Sequence, residues 1–146
     1  MSSTLGSDLL AVVARINRLA NQRLRMPVPF AQARLLSTID DRGEARISDL
    51  AALDHCSQPT MTTQVRRLED AGMVTRAADP NDARAVLIRI TPNGVAALRQ
   101  ARADRGAAVD PYLERLSESD RACLTQAVVI MQRLIEDAAT PAVAAR

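Results

Sequence analysis

Apolar residues recur every three or four positions near both ends of the chain, which is the spacing of one face of an α-helix. The first such segment runs from Ser7, a candidate N-cap, to Arg25, and the proline at position 27 is expected to end it. The last begins after Ser117. A third long helix is predicted to open at Thr91 to Gly94 and to kink or break at Asp110-Pro111.

The middle of the chain has the spacing of a helix-turn-helix. A helix predicted from Phe30 to Asp41 is closed by Gly43. Two shorter helices follow, Ser48 to Leu53 and Ser57 to Ala71. Each has a serine at its N-cap position, and Pro59 lies in the first turn of the second, where proline is tolerated. Three helices with a tight turn between the last two are therefore expected here.

Beyond the helix stop at Gly72, runs of β-branched and apolar residues predict a hairpin. Its strands are Met73 to Arg76 and Ala85 to Ile90, and its turn is Asp79-Pro80-Asn81-Asp82. Alternation in the second strand should place Leu87 and Arg89 on one face. Val86, Ile88 and Ile90 should share the other face, which is the period of two expected of a half-buried hairpin. The predicted fold class is mainly α with a small β-hairpin.

Composition narrows the function classes. A chain of 146 residues that is 47% hydrophobic and 25% charged fits one globular domain over 1–146, and no apolar run approaches the roughly 18 residues that cross a membrane. The start of the chain lacks a secretory signal, so the expected location is cytoplasmic. Cys56 and Cys123 lack metal-ligand spacing, and the only histidine, His55, has no nucleophile motif near it. We expect no metal, no cofactor and no enzymatic activity.

The predicted helix Ser57 to Ala71 has two unlike faces. Met61, Val65 and Leu68 cluster on one side of a helical wheel, and the opposite side is polar. Because the net charge is only +2 and every basic residue is arginine, DNA binding would depend on a few placed guanidinium groups. The polar side suits a helix in a major groove, and it equally suits a solvated surface. The candidate residues are Ser57, Gln58, Pro59, Thr60, Thr63, Gln64, Arg66 and Arg67.

The hairpin offers a second candidate contact with DNA. Asp82 and Arg84 are two residues apart, so in an extended segment their side chains point the same way and can pair. An arginine at the tip of a narrow hairpin can enter a minor groove. Alternatively, the residues from Asp79 to Asp82 are only turn formers and Arg84 is an exposed charge.

Three runs in this region together resemble the winged helix-turn-helix signature of the MarR family of transcriptional regulators. They are LEDAGMVTR at 68–76, DPNDARA at 79–85 and IRITPNG at 88–94. The flanks agree in layout, with one helix before and two long helices after. The resemblance implies a winged helix-turn-helix part over 29–94 and dimerisation helices over 5–28 and 95–140.

The resemblance also implies a function, that of a homodimeric regulator, more often a repressor than an activator, on a pseudo-palindromic double-stranded DNA operator. Thr60, Thr63, Arg66 and Arg67 fall on the positions of the family's DNA-contacting face. Asp82 and Arg84 fall on its wing motif, with Asp82 orienting the arginine. Two half-sites about 10 bp apart are expected from the two-fold symmetry.

The apolar stripes of the first and last helices are wider than packing within one chain needs, which favours burial against a second copy. The alternative is that the two helices pack on each other. The positions predicted for a dimer interface are Leu9, Val13, Ile16, Val128, Met131 and Ile135.

Members of this family usually respond to a small phenolic or lipophilic anion, or to cysteine oxidation. A crevice near Arg15, Phe30, Arg34 and the start of the long helix after Gly94 could hold an anion over an apolar floor, or these arginines are ordinary surface or interface charges. Cys56 precedes the predicted DNA-contacting helix, whose positive end would favour a thiolate, or else it is a small buried apolar residue, as Cys123 is expected to be.

Two alternatives to a ligand-released DNA-binding regulator therefore stay open. One is a regulator that responds to oxidation of Cys56. The other is a winged-helix module that uses the same surface to bind a partner protein, because the predicted DNA-binding part is nearly neutral. The salt dependence of affinity distinguishes this protein-binding alternative from DNA binding, since only phosphate contacts weaken steeply with ionic strength.

Overall fold

The computed structural model describes residues 4–22 and 29–139, and within them the chain forms six helices and a three-stranded antiparallel sheet. In chain order the elements are α1 (Leu5–Gln22), α2 (Phe30–Arg42), β1 (Glu44–Arg46), α3 (Ile47–Leu53), α4 (Gln58–Asp70), β2 (Val74–Asp79), β3 (Asp82–Ile90), α5 (Pro92–Leu113) and α6 (Glu118–Ala139). The chain divides into two compact units, residues 1–108 and 109–146. No helix in the described ranges has the length and apolarity needed to cross a membrane.

Two predicted helix caps are wrong. The Thr4 hydroxyl accepts a hydrogen bond from the backbone amide of Ser7 at 3.4 Å, so Ser7 lies inside the first turn of α1 instead of capping it. In α3 the N-cap residue is Arg46, and Ser48 again lies inside the first turn. The predicted end of the first helix at Arg25, with the proline stop at position 27, lies outside the described residues.

The core of the first unit forms where α2, α3 and α4 pack on one another and on the sheet. Leu36 and Ile39 of α2 and Leu50 of α3 are almost fully buried. Met61, Val65 and Leu68 of α4 join the same apolar cluster, which confirms the predicted buried face of that helix. Packing of this face fixes the orientation of α4, so its opposite face is held toward solvent.

The sheet has one more strand than the sequence predicts. Its order is β1-β3-β2, and β1 places Glu44, Ala45 and Arg46 opposite Arg89, Ile88 and Leu87. The predicted hairpin is confirmed, with longer strands that meet at the pair Asp79 and Asp82.

The predicted alternation in β3 is only partly right. Ile88 is buried and Ile90 is half-buried, but Val86 is exposed and Leu87 is buried. The neighbours of Leu87 across the sheet are Arg46 and Ala77, so the third strand shields a position that an isolated hairpin would leave open.

The hairpin and α5 meet in a tight corner. Gly72 ends α4 with a φ of +71°, a conformation that glycine adopts without strain. The Thr91 hydroxyl donates to the carbonyl of Gly72 at 2.6 Å and accepts from the amide of Gly94 at 3.1 Å. These bonds set the base of the hairpin against the start of α5.

Helix α5 continues through Pro111, so the predicted kink or break at Asp110-Pro111 is wrong as a helix end. Pro111 lies two residues before the end of α5 at Leu113. Proline removes one backbone hydrogen bond from the helix, and the loss has little effect here because only two helical residues follow it. The second unit then contains α6. The Ser117 hydroxyl accepts a hydrogen bond from the amide of Asp120 at 3.1 Å, which confirms the predicted start of this helix.

Candidate nucleic-acid interface

The N-terminal end of α4 is organised by its cap. Ser57 has extended backbone angles, and its hydroxyl accepts a hydrogen bond from the amide of Thr60 at 3.3 Å. The hydroxyls of Ser57 and Thr60 lie 2.8 Å apart. Pro59 occupies the first turn, as predicted. The cap leaves a polar, hydrogen-bonded helix end at the surface.

The outer face of α4 is accessible. All the residues predicted for DNA contact on this helix are exposed except Gln64, which is half-buried. The Thr63 hydroxyl donates to the carbonyl of Pro59 at 3.1 Å, so its oxygen keeps its capacity to accept. Thr62, which was not predicted as a contact residue, is also exposed, and its hydroxyl donates to the carbonyl of Gln58 at 2.8 Å.

Arg66 and Arg67 carry the positive charge of this face. Neither forms an ion pair within the described part of the chain. By contrast, Arg76 of β2 pairs with Glu69 near the end of α4 at 2.8 Å, which neutralises one arginine and ties the helix to the hairpin. The positive charge available to a polyanion on α4 is therefore concentrated on two neighbouring guanidinium groups.

The hairpin tip differs in detail from the prediction. The Asp82 carboxylate accepts from the backbone amide of Arg84 at 3.0 Å, whereas no ion pair between these two side chains is found in the described ranges. Asp82 thus shapes the backbone that carries Arg84 instead of holding its guanidinium. Arg84 is exposed and is not ion-paired within those ranges.

Asp79 does more than form the turn, the role that one interpretation of the sequence gives it. It is 6% exposed, and its Oδ2 accepts from Nε and Nη2 of Arg46 at 3.0 and 2.5 Å. Its Oδ1 accepts from the amide of Asn81 at 2.8 Å. The bond from Asn81 and the Arg46 guanidinium lower the pKa of the Asp79 carboxyl, and the same contact raises the pKa of Arg46.

A second candidate site is a cavity of about 250 Å³ in the first unit. It includes Phe30 and Arg34, as predicted, but Arg15 is exposed on α1 and is not part of its lining. The lining residues are Asn17, Phe30, Ala33, Arg34, Ser37, Leu98, Ala101, Arg102 and Arg105.

Three guanidinium groups border this cavity. Arg105 lies 5.6 Å from the centre of the Phe30 ring and donates to the Asn17 side chain at 2.6 Å. Its Nε is buried without a hydrogen-bond partner among the described residues. Arg102 donates to the Ser37 hydroxyl at 3.1 Å, and Arg34 is ion-paired with Asp54. Arg102 and Arg105 were not among the residues predicted from the sequence, although with Leu98 and Ala101 they form one face of α5 at helical spacing.

The remaining candidates are the residues predicted for the dimer interface and the two cysteines. Four residues predicted for the dimer interface, Val13, Ile16, Val128 and Ile135, are 37%, 47%, 49% and 70% exposed, and Leu9 and Met131 are half-buried. Cys56 is half-buried against the core cluster. Cys123 is exposed on α6, so the expectation that it is a buried apolar residue is wrong for this chain alone.

An exposed helix of a helix-turn-helix, held beside a hairpin with an exposed arginine at its tip, defines a protein of the winged helix-turn-helix, DNA-binding class. Comparisons with known proteins agree. The sequence profile of the MarR family matches residues 30–86. HTH-type transcriptional regulators of Mycobacterium bovis and Mycobacterium tuberculosis are each 31% identical to this chain over 134 residues, which is 91% of this chain and 94% of each relative.

Solved structures show the same fold. Wild-type MarR from E. coli superposes with a TM-score of 0.67 at 22% identity, covering 96% of this chain and all of that one. A transcriptional regulator from Thermotoga maritima gives 0.71 at 24% identity, covering 88% and 92%. The chain belongs to the MarR family and is a transcriptional regulator with a DNA-binding winged helix-turn-helix fold. The family comprises regulators and not enzymes.

Proposed function

We propose that the protein is a cytoplasmic homodimeric repressor that binds a pseudo-palindromic operator in double-stranded DNA. The observation that carries this proposal is that three exposed arginines, Arg66 and Arg67 on α4 and Arg84 at the hairpin tip, form no ion pair with any residue that the structure describes. The helix would enter the major groove of a half-site and the hairpin, as the wing, would place Arg84 in the flanking minor groove.

The homodimer rests on the exposed apolar residues of the terminal helices. Ile16 of α1 and Val128 and Ile135 of α6 expose large aliphatic side chains that a second copy would cover. Two-fold symmetry then places two copies of α4 on successive major-groove faces, so the operator should contain inverted half-sites about 10 bp apart.

The direct test is selection of bound sequences from random duplex DNA by the purified full chain, followed by titration of the selected duplex at 50 and 200 mM salt. We expect an enriched inverted repeat whose affinity falls steeply with salt, because each phosphate contact releases counterions. A well-folded dimer that enriches no sequence would contradict the proposal and favour the protein-interaction alternative. An operator that overlaps a promoter would support repression over activation.

We further propose that an anionic small molecule releases the protein from DNA by binding the cavity of α1, α2 and α5. The buried Nε of Arg105 lacks a partner in the described ranges, and the Phe30 ring supplies an apolar surface below its guanidinium. Arg34 connects this cavity to the helix-turn-helix, because its partner Asp54 is the C-cap residue of α3. An anion that competes for Arg34 would free Asp54 and loosen the turn before α4.

A matched pair of probes tests this step. At constant ionic strength, 4-hydroxybenzoate should dissociate the protein from its operator at lower concentration than the uncharged 4-hydroxybenzamide, and Arg105→Met should remove the difference. Equal effects of acid and amide would contradict an arginine-based anion site.

A further inference from the structure

Asp79 is the one charged residue buried within the described ranges, and both its oxygens are bonded to the protein. A carboxylate is costly to bury, so a buried one is retained only where its partners are well placed. Here the partners come from two directions. The amide of Asn81 belongs to the hairpin turn itself, whereas Arg46 lies 33 positions earlier in the chain.

Arg46 connects three parts of the fold. It ends β1, it is the N-cap residue of α3, and it lies opposite Leu87 in β3. Since the strand order is β1-β3-β2, its guanidinium has to extend across the central strand to reach Asp79 at the end of β2. The ion pair therefore joins Arg46, at the start of the helix-turn-helix, to Asp79, the last residue of β2 before the hairpin turn.

We propose that Arg46 and Asp79 are positioning residues for the wing, which hold its tip at a fixed place relative to α4 so that Arg84 meets the DNA together with that helix. The inference rests on the proposed DNA binding. Arg84 lies two residues after Asp82, whose backbone pairs with Asp79 across the turn, so the anchor acts within one turn of the arginine it positions. A two-residue turn held only by its own ladder would sample many tip positions, and binding would then have to restrict them.

The variant Asp79→Asn separates positioning from simple electrostatics by the sign of its effect. The amide can still accept the bond from Asn81, but it loses the ion pair with Arg46. Removing a negative charge from the DNA-facing part should tighten binding if only net charge matters. Positioning predicts the reverse, a loss of operator affinity of at least about fivefold, the lower end of what a well-placed groove arginine contributes. Unchanged or tighter binding by the folded variant would overturn the proposal.

A double-mutant cycle tests whether the anchor acts through Arg84. Operator affinity is measured by fluorescence anisotropy for wild type, Arg46→Met, Arg84→Ala and the double variant. We expect Arg84→Ala to cost much less in the Arg46→Met background, because a mispositioned arginine has little left to lose. Additive effects would mean that Arg46 contacts phosphate by itself or acts only on stability. Arg46→Lys, which keeps the charge without the two-pronged contact, should recover part of the affinity.

Arg89→Met is the matched control. Arg89 of β3 pairs with Glu44 of β1 at 2.6 Å, so it also links β1 to another strand of the sheet, but this pair is exposed and does not involve the turn residues. The variant Arg89→Met should change operator affinity little, and in a double-mutant cycle its effect should add to that of Arg84→Ala. Hydrogen exchange of the Asn81 and Arg84 amides gives a readout without DNA: Arg46→Met should speed it, and Arg89→Met should not. If wild type binds no duplex, the proposed function fails, while the exchange rates still decide whether Arg46 anchors the wing.

Discussion

At Gly94 the chain has room for no side chain. A Cβ built there would lie 2.1 Å from the carbonyl oxygen of Met73 and 2.7 Å from Cγ1 of Ile90. The oxygen belongs to the backbone at the base of the hairpin, so it cannot rotate away as a side chain would. Close approach of α5 to the hairpin therefore depends on the missing Cβ, a requirement that the sequence run 88–94 does not reveal.

The variant Gly94→Ala is expected to lower the free energy of unfolding by about 2 kcal/mol, because the methyl group forces the start of α5 away from Met73 and Ile90 at the base of the hairpin. Urea unfolding followed by circular dichroism measures the change. Gly106→Ala is the control, since a Cβ at Gly106 meets nothing within 4 Å. It should stabilise the helix by roughly 0.5–1 kcal/mol. A neutral Gly94→Ala would show that the corner can open without cost.

Asp79 should make stability depend on acid. Its pKa is lowered in the fold, so its contribution is fully present above its unfolded pKa of roughly 4 and is lost as the pH falls through the lower, folded value. The other charges acting on the pair are Asp82 and Asp49, which also favour the charged form of Arg46. Urea midpoints between pH 7 and pH 2 should fall less steeply for Asp79→Asn than for wild type. Identical slopes would remove Asp79 from the acid response.

At the scale of elements, the sequence predicts helices from their own residues, but it does not predict a strand whose stability comes from pairing with a distant strand. The helix α4 was predicted almost to the residue, because Ser57, Pro59 and the buried face lie within the helix or next to it. The strand β1 was missed, because three residues carry no periodicity and their stability comes from pairing with β3, more than 40 positions away. The predicted caps Ser7 and Ser48 are wrong because α1 and α3 each begin before the serine. The residues that precede these helices are Thr4 and Arg46.

Ser57→Ala is expected to cost about 1 kcal/mol of stability, since the amide of Thr60 loses its acceptor at the start of α4. Thermal unfolding of the purified protein measures it. Ser48→Ala removes an identical hydroxyl that caps nothing and should change stability by less than about 0.5 kcal/mol. Equal losses in the two variants would contradict the assignment of the cap.

Arg84→Ala is expected to weaken operator binding by more than about 1 kcal/mol while the fold and the dimer stay intact. The reason is the loss of a guanidinium at a tip whose backbone is already ordered by Asp82. Anisotropy titration of the selected operator measures it. Arg99→Ala removes the same charge from an exposed position of α5 and should change affinity less. Unchanged affinity in Arg84→Ala would exclude the wing from the mechanism.

At the scale of the whole molecule, the terminal helices expose much more apolar surface than the core region does. No residue of α6 is buried against the described part of the chain, although Leu124, Val128 and Leu134 are large aliphatic residues. Such a helix is stabilised by packing and not by propensity alone, and in the proposed homodimer a second copy supplies the surface that covers it.

The variant Val128→Glu should therefore convert the protein toward monomer, because a buried unpaired carboxylate opposes association. Sedimentation equilibrium measures the mass. Gln126→Glu adds the same charge at an exposed position about 200° away on the helical wheel and should leave the dimer unchanged. A dimer that persists in Val128→Glu would move the interface elsewhere.

The amino-acid sequence alone determined the helix-turn-helix, the hairpin, the buried face of α4 and the family, because each depends on caps, periodicity or runs of neighbouring residues. Only the tertiary structure decided which distant groups meet. The Arg46–Asp79 pair required the third strand, and the arginines of the cavity required α5 to face α1 and α2. Side-chain contacts between elements far apart in the chain leave no local pattern, since any exposed arginine could have made them.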